Sequence, residues 1–395
     1  MVPALRPALA DRLADACGRL EAFEPGDAFD PRVPAALVAA GFHLLPVPAG
    51  AGGLGATMSE AAEVLATLGA LDGSAALGFA MHVHSVGSIA DSAAWPGAPR
   101  DRLYRAIVDG GALVNNASTE EGGGSPARGA IPGTIARRDA AGDGWRLTGE
   151  KTWTTWLPAL RFAFVSARID EGDGTAGYGL APAVGIFLVD LDGEGIERRP
   201  GFEAMGMRGS ASGRLVLADV HVPADALVSR RLAVEPDPRG AAPGAWFAMA
   251  VAATYLGVGE GARRTVARWA LDRRPGDGST AVAEIPSVQL RLGRLDAALR
   301  AARIVLFDAT RRWEAAAGDQ AGRARLAPDL ALAKVTATNA AVSATDEAMR
   351  IAGGPGFLSG RLERAFRDAR AGLINPPLDD VALAGFGRAV LEAER

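Results

Sequence analysis

The chain has 395 residues, of which 49% are apolar and 22% are charged, and its formal net charge is −4. A chain of this length can bury a large core in two or three packed units. The charge balance leaves no basic footprint for nucleic acid, and the single cysteine, Cys17, excludes an internal disulfide.

Residues 1–112 have the spacing of helices, because small and apolar residues recur every three or four positions between Ser59 and Ala90. We expect Ser59 to cap one helix, and the Asp-Gly-Ser triplet at 72–74 to end it and cap the next. The first residues contain no uninterrupted apolar segment, so we expect no secretory signal and a cytoplasmic protein.

Residues 113–228 change to a period of two, which predicts short strands separated by Gly, Pro and Asp clusters. The expected strands are 145–153, 161–169, 184–191 and 213–222.

Helical spacing returns over residues 229–395, and helices of the predicted length suit antiparallel bundle packing. The predicted helices are 244–274, 286–317, 328–352 and 379–393. The uncharged run at 244–259 is shorter than the roughly 20 residues that span a bilayer, so we expect a buried helix and no membrane association. The order predicts an α+β fold, with an N-terminal α-helical domain (1–112), a middle β-domain (113–228) and a C-terminal helical bundle domain (229–395).

Two motifs in the predicted β-domain have the composition of a ligand site. The first, STEEGGGSP (118–126), can leave backbone N–H groups free to hold an anion, and Thr119 adds a hydroxyl. The second, LTGEKTWTTW (147–156), places Trp153 and Thr155 on one face of a strand, where a ring and a hydroxyl suit a flat heterocycle. Taken singly, the two motifs are also typical of a glycine-rich turn and of a core tryptophan.

Two further motifs lie next to predicted turns and helix ends. Arg208, in GMRGSAS (206–212), can pair with an anion or lie solvated in a turn. In AGGPGF (352–357), the two glycines end a long helix. Arg364 and Asp368 follow four residues apart, the spacing of a structural ion pair.

In order and spacing, the four motifs resemble those of the acyl-CoA dehydrogenase family. STEEGGGSP is similar to the family's T-E-P-G-A-G-S-D loop, and GEKTWTT to its G-x-K-x-W-I-T strand. GMRGSAS and AGGPGF with the later RDAR (367–370) are similar to its M-G-x-R-x-S and G-G-x-G-F…R-D-A blocks. The resemblance implies a helical domain, a β-barrel or sandwich domain, and a C-terminal four-helix bundle.

The resemblance also implies FAD between the β-domain and the bundle, with its adenosine end reaching a neighbouring subunit. We therefore expect a homodimer or homotetramer. The implied cofactor-binding residues are Ser118, Thr119, Gly124, Ser125, Trp153, Thr155, Arg273, Gly353 and Gly354.

The chain departs from the family at the catalytic base, a Glu that abstracts the α-proton of an acyl thioester. Pro376 stands where that Glu is expected, and Phe247 stands at the alternative position on the first bundle helix. We consider three replacement bases, Asp379, His84 and His82. Asp379 is also typical of a helix start, and the two histidines cannot share one helical face. No His, Cys or Asp spacing indicates a metal site.

The residues and the resemblance leave more than one function open. One is FAD-dependent α,β-dehydrogenation of an acyl thioester, with hydride transfer to flavin N5 and an electron-transfer partner. The alternative is a flavin-dependent monooxygenase on the same fold, using reduced flavin from a partner reductase. A third is an inert member that binds flavin or acyl chains only.

Overall fold

The structure is a computed structural model that describes residues 5–23, 26–122, 130–140, 142–171, 182–276 and 278–395. Its N-terminal part is helical, and the helices are α1 (Pro7–Glu21), α2 (Arg32–Ala39), α3 (Met58–Gly69), α4 (Gly73–Asp91) and α5 (Gly97–Gly110). Thr57 caps α3, because its hydroxyl accepts from the Glu60 N–H at 3.2 Å while the Glu60 carboxylate accepts from the Thr57 N–H at 3.0 Å. The prediction that Ser59 is the cap is wrong, since only Thr57 has a Glu three residues later. Asp72 caps α4 by accepting from the Ala75 N–H at 2.9 Å, as predicted.

The central part is an eight-stranded sheet with the order β6-β7-β3-β2-β4-β5-β8, and β1 pairs in parallel with β4. The strands are β1 (Val114–Ala117), β2 (Ile135–Arg138), β3 (Gly144–Thr154), β4 (Phe162–Asp170), β5 (Ala183–Asp190), β6 (Ile196–Arg199), β7 (Gly213–Pro223) and β8 (Leu227–Leu232). The four predicted strands are β3, β4, β5 and β7. The other four are six residues or shorter, too short for alternation to identify.

The C-terminal part is a helical bundle, and with it the predicted α+β class is confirmed. Its helices are α6 (Ala242–Asp272), α7 (Pro286–Ala315), α8 (Gln320–Ala352), α9 (Gly354–Phe357), α10 (Arg361–Ala371) and α11 (Asp379–Ala393). The predicted start of the third helix at residue 328 is wrong. Asp319 caps α8 by accepting from the Gly322 N–H at 2.8 Å, and Pro328 lies inside the helix.

Helix α6 is the core of the bundle. It is long and apolar enough to cross a membrane by composition, but 83% of its most apolar window is buried inside the protein. It crosses α3 at close range, because a Cβ on Gly257 would lie 2.2 Å from the carbonyl oxygen of Ala66. Glycine is therefore required where these two helices touch.

Asp91, at the end of α4, joins the N-terminal helices to the bundle. The indole N–H groups of Trp246 and Trp313 both donate to one carboxylate oxygen at 2.8 Å. Arg323 pairs with the other oxygen at 2.9 Å. One carboxylate thus connects α4 with α6, α7 and α8.

Candidate functional site

Trp153 lies on the surface at the end of β3. A β-bulge interrupts the pairing with β7 between Lys151 and Thr154, and Trp153 has a left-handed backbone with φ of 58°. The bulge turns the indole out of the sheet, where 53% of the residue is exposed. Its ring meets Phe202 edge to face at 5.5 Å, and Phe202 lines an open surface pocket of about 460 Å³.

The end of β1 lies directly beside this part of β3. The Thr152 N–H donates to the carbonyl oxygen of Thr119 at 2.8 Å. The Asn115 side chain donates to the carbonyl oxygen of Thr155 at 3.1 Å. The structure therefore brings the described part of the first motif (118–122) beside the second, and Ser118 is half-buried. The predicted contacts Gly124 and Ser125 lie outside the described residues.

Thr155 is part of a chain of buried hydroxyls that sequence reasoning missed. Its Oγ1 lies 2.9 Å from Ser212 Oγ, which lies 2.9 Å from Ser210 Oγ. The only available signal was the pair of serines in the third motif. The hydroxyls connect the strand that carries Trp153 with the turn that precedes β7.

Left-handed backbone is concentrated at the same place. Besides Trp153, it occurs at Trp156, Met207 and Ala211, and the Trp156 N–H donates to the carbonyl oxygen of Ser210 at 2.7 Å. Such conformations cost about 1–3 kcal/mol each and cluster at functional sites. The strain supports a ligand site at the 153–156 and 207–212 segments.

A buried ion pair lies beneath the two motifs. The Lys151 ammonium, with no exposed surface, contacts the Glu120 carboxylate at 2.5 Å. Burial disfavours ionisation of Glu120, but hydrogen bonds from Lys151 and Thr134 outweigh it, so the pKa of Glu120 is below its usual value. Burial also lowers the pKa of Lys151.

His82 and His84 on α4 are both buried, but only His82 is hydrogen-bonded. His82 Nε2 lies 2.8 Å from the carbonyl oxygen of His43, and its Nδ1 accepts from the Val114 N–H at 3.3 Å. Neither ring nitrogen of His84 has a hydrogen-bond partner among the residues described. Burial lowers the pKa of His82 to about 4 and that of His84 to about 3.

His84 lies beside one of the two positions from which the expected base is missing. Its ring meets Phe247 of α6 edge to face at 4.9 Å. An unpartnered buried imidazole carries a desolvation cost of about 1–3 kcal/mol that a ligand or water can relieve. His84 is therefore positioned to donate to or accept from a bound molecule.

Asp379 is held by other side chains of the bundle. One of its oxygens contacts Lys334 Nζ at 3.2 Å, and the other accepts from the Asn339 amide at 2.7 Å. These contacts account for the carboxylate at the start of α11. A role for Asp379 as a base stays a prediction, and these bonds do not favour it.

The residues assigned by resemblance to the adenosine end of the cofactor are exposed and lie at the C-terminal ends of α6 and α8. Arg273 ends α6. Gly353, with φ of 63°, ends α8, and a Cβ on Gly353 or on Gly354 would meet nothing within 4 Å. Within one chain these positions are open to solvent, and their contacts with a cofactor stay a prediction.

One exposed group has the composition of metal ligands, although none was predicted. Ligand atoms of Asp139, Asp143 and His221 lie within 4.8 Å of one another. Arg146 already pairs with Asp139 at 2.6 Å, a cation at the place where a metal would bind. We assign no metal to the group.

Family models and known relatives identify the family to which the chain belongs. The model for the middle domain of acyl-CoA dehydrogenase matches residues 115–220, and that for the C-terminal domain matches residues 245–375. A putative acyl-CoA dehydrogenase of Bacillus subtilis, YdbM, is 33% identical over 349 residues, which cover 87% of this chain and 85% of the relative. The chain belongs to the acyl-CoA dehydrogenase family, and its homology supports a flavin-linked oxidoreductase.

Two solved structures have the same fold over nearly the whole chain. KijD3 in complex with FMN and a dTDP-linked 3-amino-4-keto sugar gives a TM-score of 0.84 at 25% identity, covering 99% of this chain and 96% of KijD3. Butyryl-CoA dehydrogenase from Megasphaera elsdenii gives 0.81 at 22% identity, covering 99% and 100%. The fold thus serves different ligands.

Proposed function

We propose that this protein is a flavin-dependent monooxygenase that uses reduced flavin supplied by a partner reductase. The observation that carries the proposal is the pair Trp153 and Thr155, which resembles the family's flavin floor, in a chain with Phe247 and Pro376 at the two positions where the family's catalytic Glu is expected. The exposed indole in its turned-out bulge fits a flat ring, and the adjoining hydroxyls fit its polar edge. A bound flavin supplies the exchange of electrons with oxygen or substrate.

A dehydrogenase needs a base for the α-proton, and general-base catalysis contributes about 10²- to 10⁴-fold. Phe247 and Pro376 have no proton to exchange, and Asp379 is engaged by Lys334 and Asn339. His84, with a pKa of about 3, is a weak base at neutral pH. As a neutral imidazole it still has one N–H donor and one acceptor, which suits hydrogen bonding to a bound group better than proton abstraction.

FAD remains the proposed cofactor, with Arg273, Gly353 and Gly354 facing the adenosine end held by a second copy of the chain. The open surface at the two glycines supports that arrangement. KijD3 is named with FMN, so FMN is the alternative. Analysis of the flavin that copurifies distinguishes the two, and light scattering tests for the homodimer or homotetramer.

Dehydrogenation of an acyl thioester is the second candidate. It is favoured by the relative from Bacillus subtilis, which is named a putative acyl-CoA dehydrogenase, and by the retained Trp153 and Thr155. Under this reading an electron-transfer partner, and not a reductase, would complete the reaction.

The two candidates are separated by the half-reaction that each performs. The protein loaded with oxidised flavin is mixed without oxygen with a panel of acyl-CoA thioesters, and the visible flavin absorbance is followed. We expect no bleaching. The enzyme with reduced flavin is then mixed with oxygen, and we expect His84→Phe to change the rate of reoxidation while Asp379→Asn does not. Bleaching by any thioester would contradict the monooxygenase and favour the dehydrogenase.

A further inference from the structure

The chain has only two lysines, Lys151 and Lys334, among 42 lysine and arginine residues. Both side chains have no exposed surface, and each contacts one carboxylate. Among the described residues, Arg239 and Arg323 are buried arginines, and the other arginines are at least partly exposed. A lysine offers a compact point charge on a slender stem, whereas a guanidinium is broad and planar.

The Lys151 pair joins two separate segments of the proposed flavin site. Lys151 immediately precedes the bulge that carries Trp153, and Glu120 immediately follows Thr119. The ammonium lies 2.5 Å from Glu120 and 3.3 Å from Ser166 Oγ.

Glu120 also accepts hydrogen bonds from the residues just before β2. Its carboxylate accepts from the Thr134 N–H at 3.0 Å, from the Thr134 hydroxyl at 2.7 Å and from the Gly133 N–H. The pair therefore fixes the end of β1, the start of β2 and the end of β3 to one another. A charge-assisted bond shielded from water is stiff and strongly directional.

We propose that Lys151 and Glu120 are positioning residues that hold the Thr119 segment and the Trp153 bulge at the separation a flavin requires. The inference rests on the proposed flavin site but not on which reaction the flavin performs. The Lys334–Asp379 ion pair lies in the helical bundle, where Asp379 begins α11 and connects that helix to α8. It is the same kind of buried lysine–carboxylate pair outside the proposed flavin site, so it serves as an internal control.

The test separates cofactor affinity from folding. Removing one partner leaves the other charge buried and destabilises a fold strongly, whereas removing both together is often tolerated. We therefore use the double variant Lys151→Met/Glu120→Gln, with Lys334→Met/Asp379→Asn as the matched control. The dissociation constants of FMN and of FAD are measured by quenching of flavin fluorescence, and thermal unfolding is measured without flavin.

We expect the Lys151/Glu120 double variant to remain folded and to bind flavin about ten-fold or more weakly, as loss of a charge-assisted contact implies. The control should bind both flavins like the wild type. Equal affinity in the wild type and the Lys151/Glu120 variant would overturn the inference, as would an equal loss in the control. Should the double variant not fold, Glu120→Asp is tested instead, because it keeps the charge but draws the carboxylate back from Lys151 by one methylene. It is expected to weaken flavin binding, and unchanged binding would equally refute the inference. A wild type that binds neither flavin would instead contradict the proposed function.

Discussion

The unpartnered ring of His84 makes a quantitative prediction about stability and pH. Its pKa is about 3 in the folded protein, against an ordinary value of 6.5. Between these values the unfolded chain binds a proton that the folded chain does not. The folded protein is therefore not penalised by protonation of His84 above pH 6.5, and below that pH the free energy of unfolding falls as the pH falls toward 3.

The loss of stability at a given pH follows from how far that pH lies below the ordinary pKa of histidine. At pH 5, about 1.5 units below it, the loss is about 2 kcal/mol relative to pH 8, at roughly 1.4 kcal/mol per unit. His84→Leu removes that loss. It also removes two buried nitrogens without partners, so at pH 8 the variant should already be about 1–3 kcal/mol more stable than the wild type.

The measurement is urea unfolding of both proteins at pH 8 and pH 5. His82→Leu is the matched control, because it leaves the His43 carbonyl and the Val114 N–H unpaired and should be less stable than the wild type at pH 8. The reasoning is refuted if His84→Leu and the wild type lose the same free energy of unfolding between pH 8 and pH 5. His84 would then not be held neutral by burial, and the proposed hydrogen-bonding role of its ring would be wrong.

Three further predictions concern other parts of the molecule. Burial raises the pKa of Asp368 from 3.8 to about 6. The protonated carboxyl therefore stabilises the fold fully below pH 3.8, and this stabilisation is lost as the pH rises through 6. Asp368→Asn should abolish a fall of about 2 kcal/mol in the free energy of unfolding between pH 4 and pH 7, measured by urea unfolding. Gly257→Ala should lower the free energy of unfolding by about 1–3 kcal/mol, because the added Cβ would meet Ala66. Gly293→Ala, in α7 with open space around it, should raise that free energy by up to about 1 kcal/mol. Similar effects of the two variants would contradict the close crossing of α6 and α3. Amine-reactive acylation of the native protein should leave Lys151 and Lys334 unmodified, and peptide masses should show both modified only after unfolding.

The fold was predictable where periodicity is strong and long. The strands β3, β4, β5 and β7 were predicted from alternation, and Asp72 from its place before a helical run. The start of α8 was missed because Pro328 looked like a first-turn residue, whereas the cap is Asp319, nine residues earlier. A proline inside a helix is a tertiary outcome that local rules do not anticipate.

The site was only partly predictable, since motifs name residues but not their contacts. The sequence names Trp153 and Thr155 as site residues, which stays a prediction, and the structure adds the bulge that exposes the indole. The states of His82 and His84 could not be read. Helix α4 is buried on nearly every face, so no polar side identifies which ring is bonded. The hydroxyl chain from Thr155 to Ser210 depends on a contact between segments more than 50 residues apart.

The contacts of Asp91 limit how this molecule can move. His84 lies two turns before Asp91 on the same helix, and that helix is fastened to three bundle helices through two indoles and a guanidinium. Swinging the N-terminal helices away from the bundle would expose an unpaired carboxylate and two unpaired N–H groups at once. We therefore expect a ligand to reach the ring of His84 through local rearrangement of side chains and loops, while α4 and the bundle helices α6, α7 and α8 keep their relative positions.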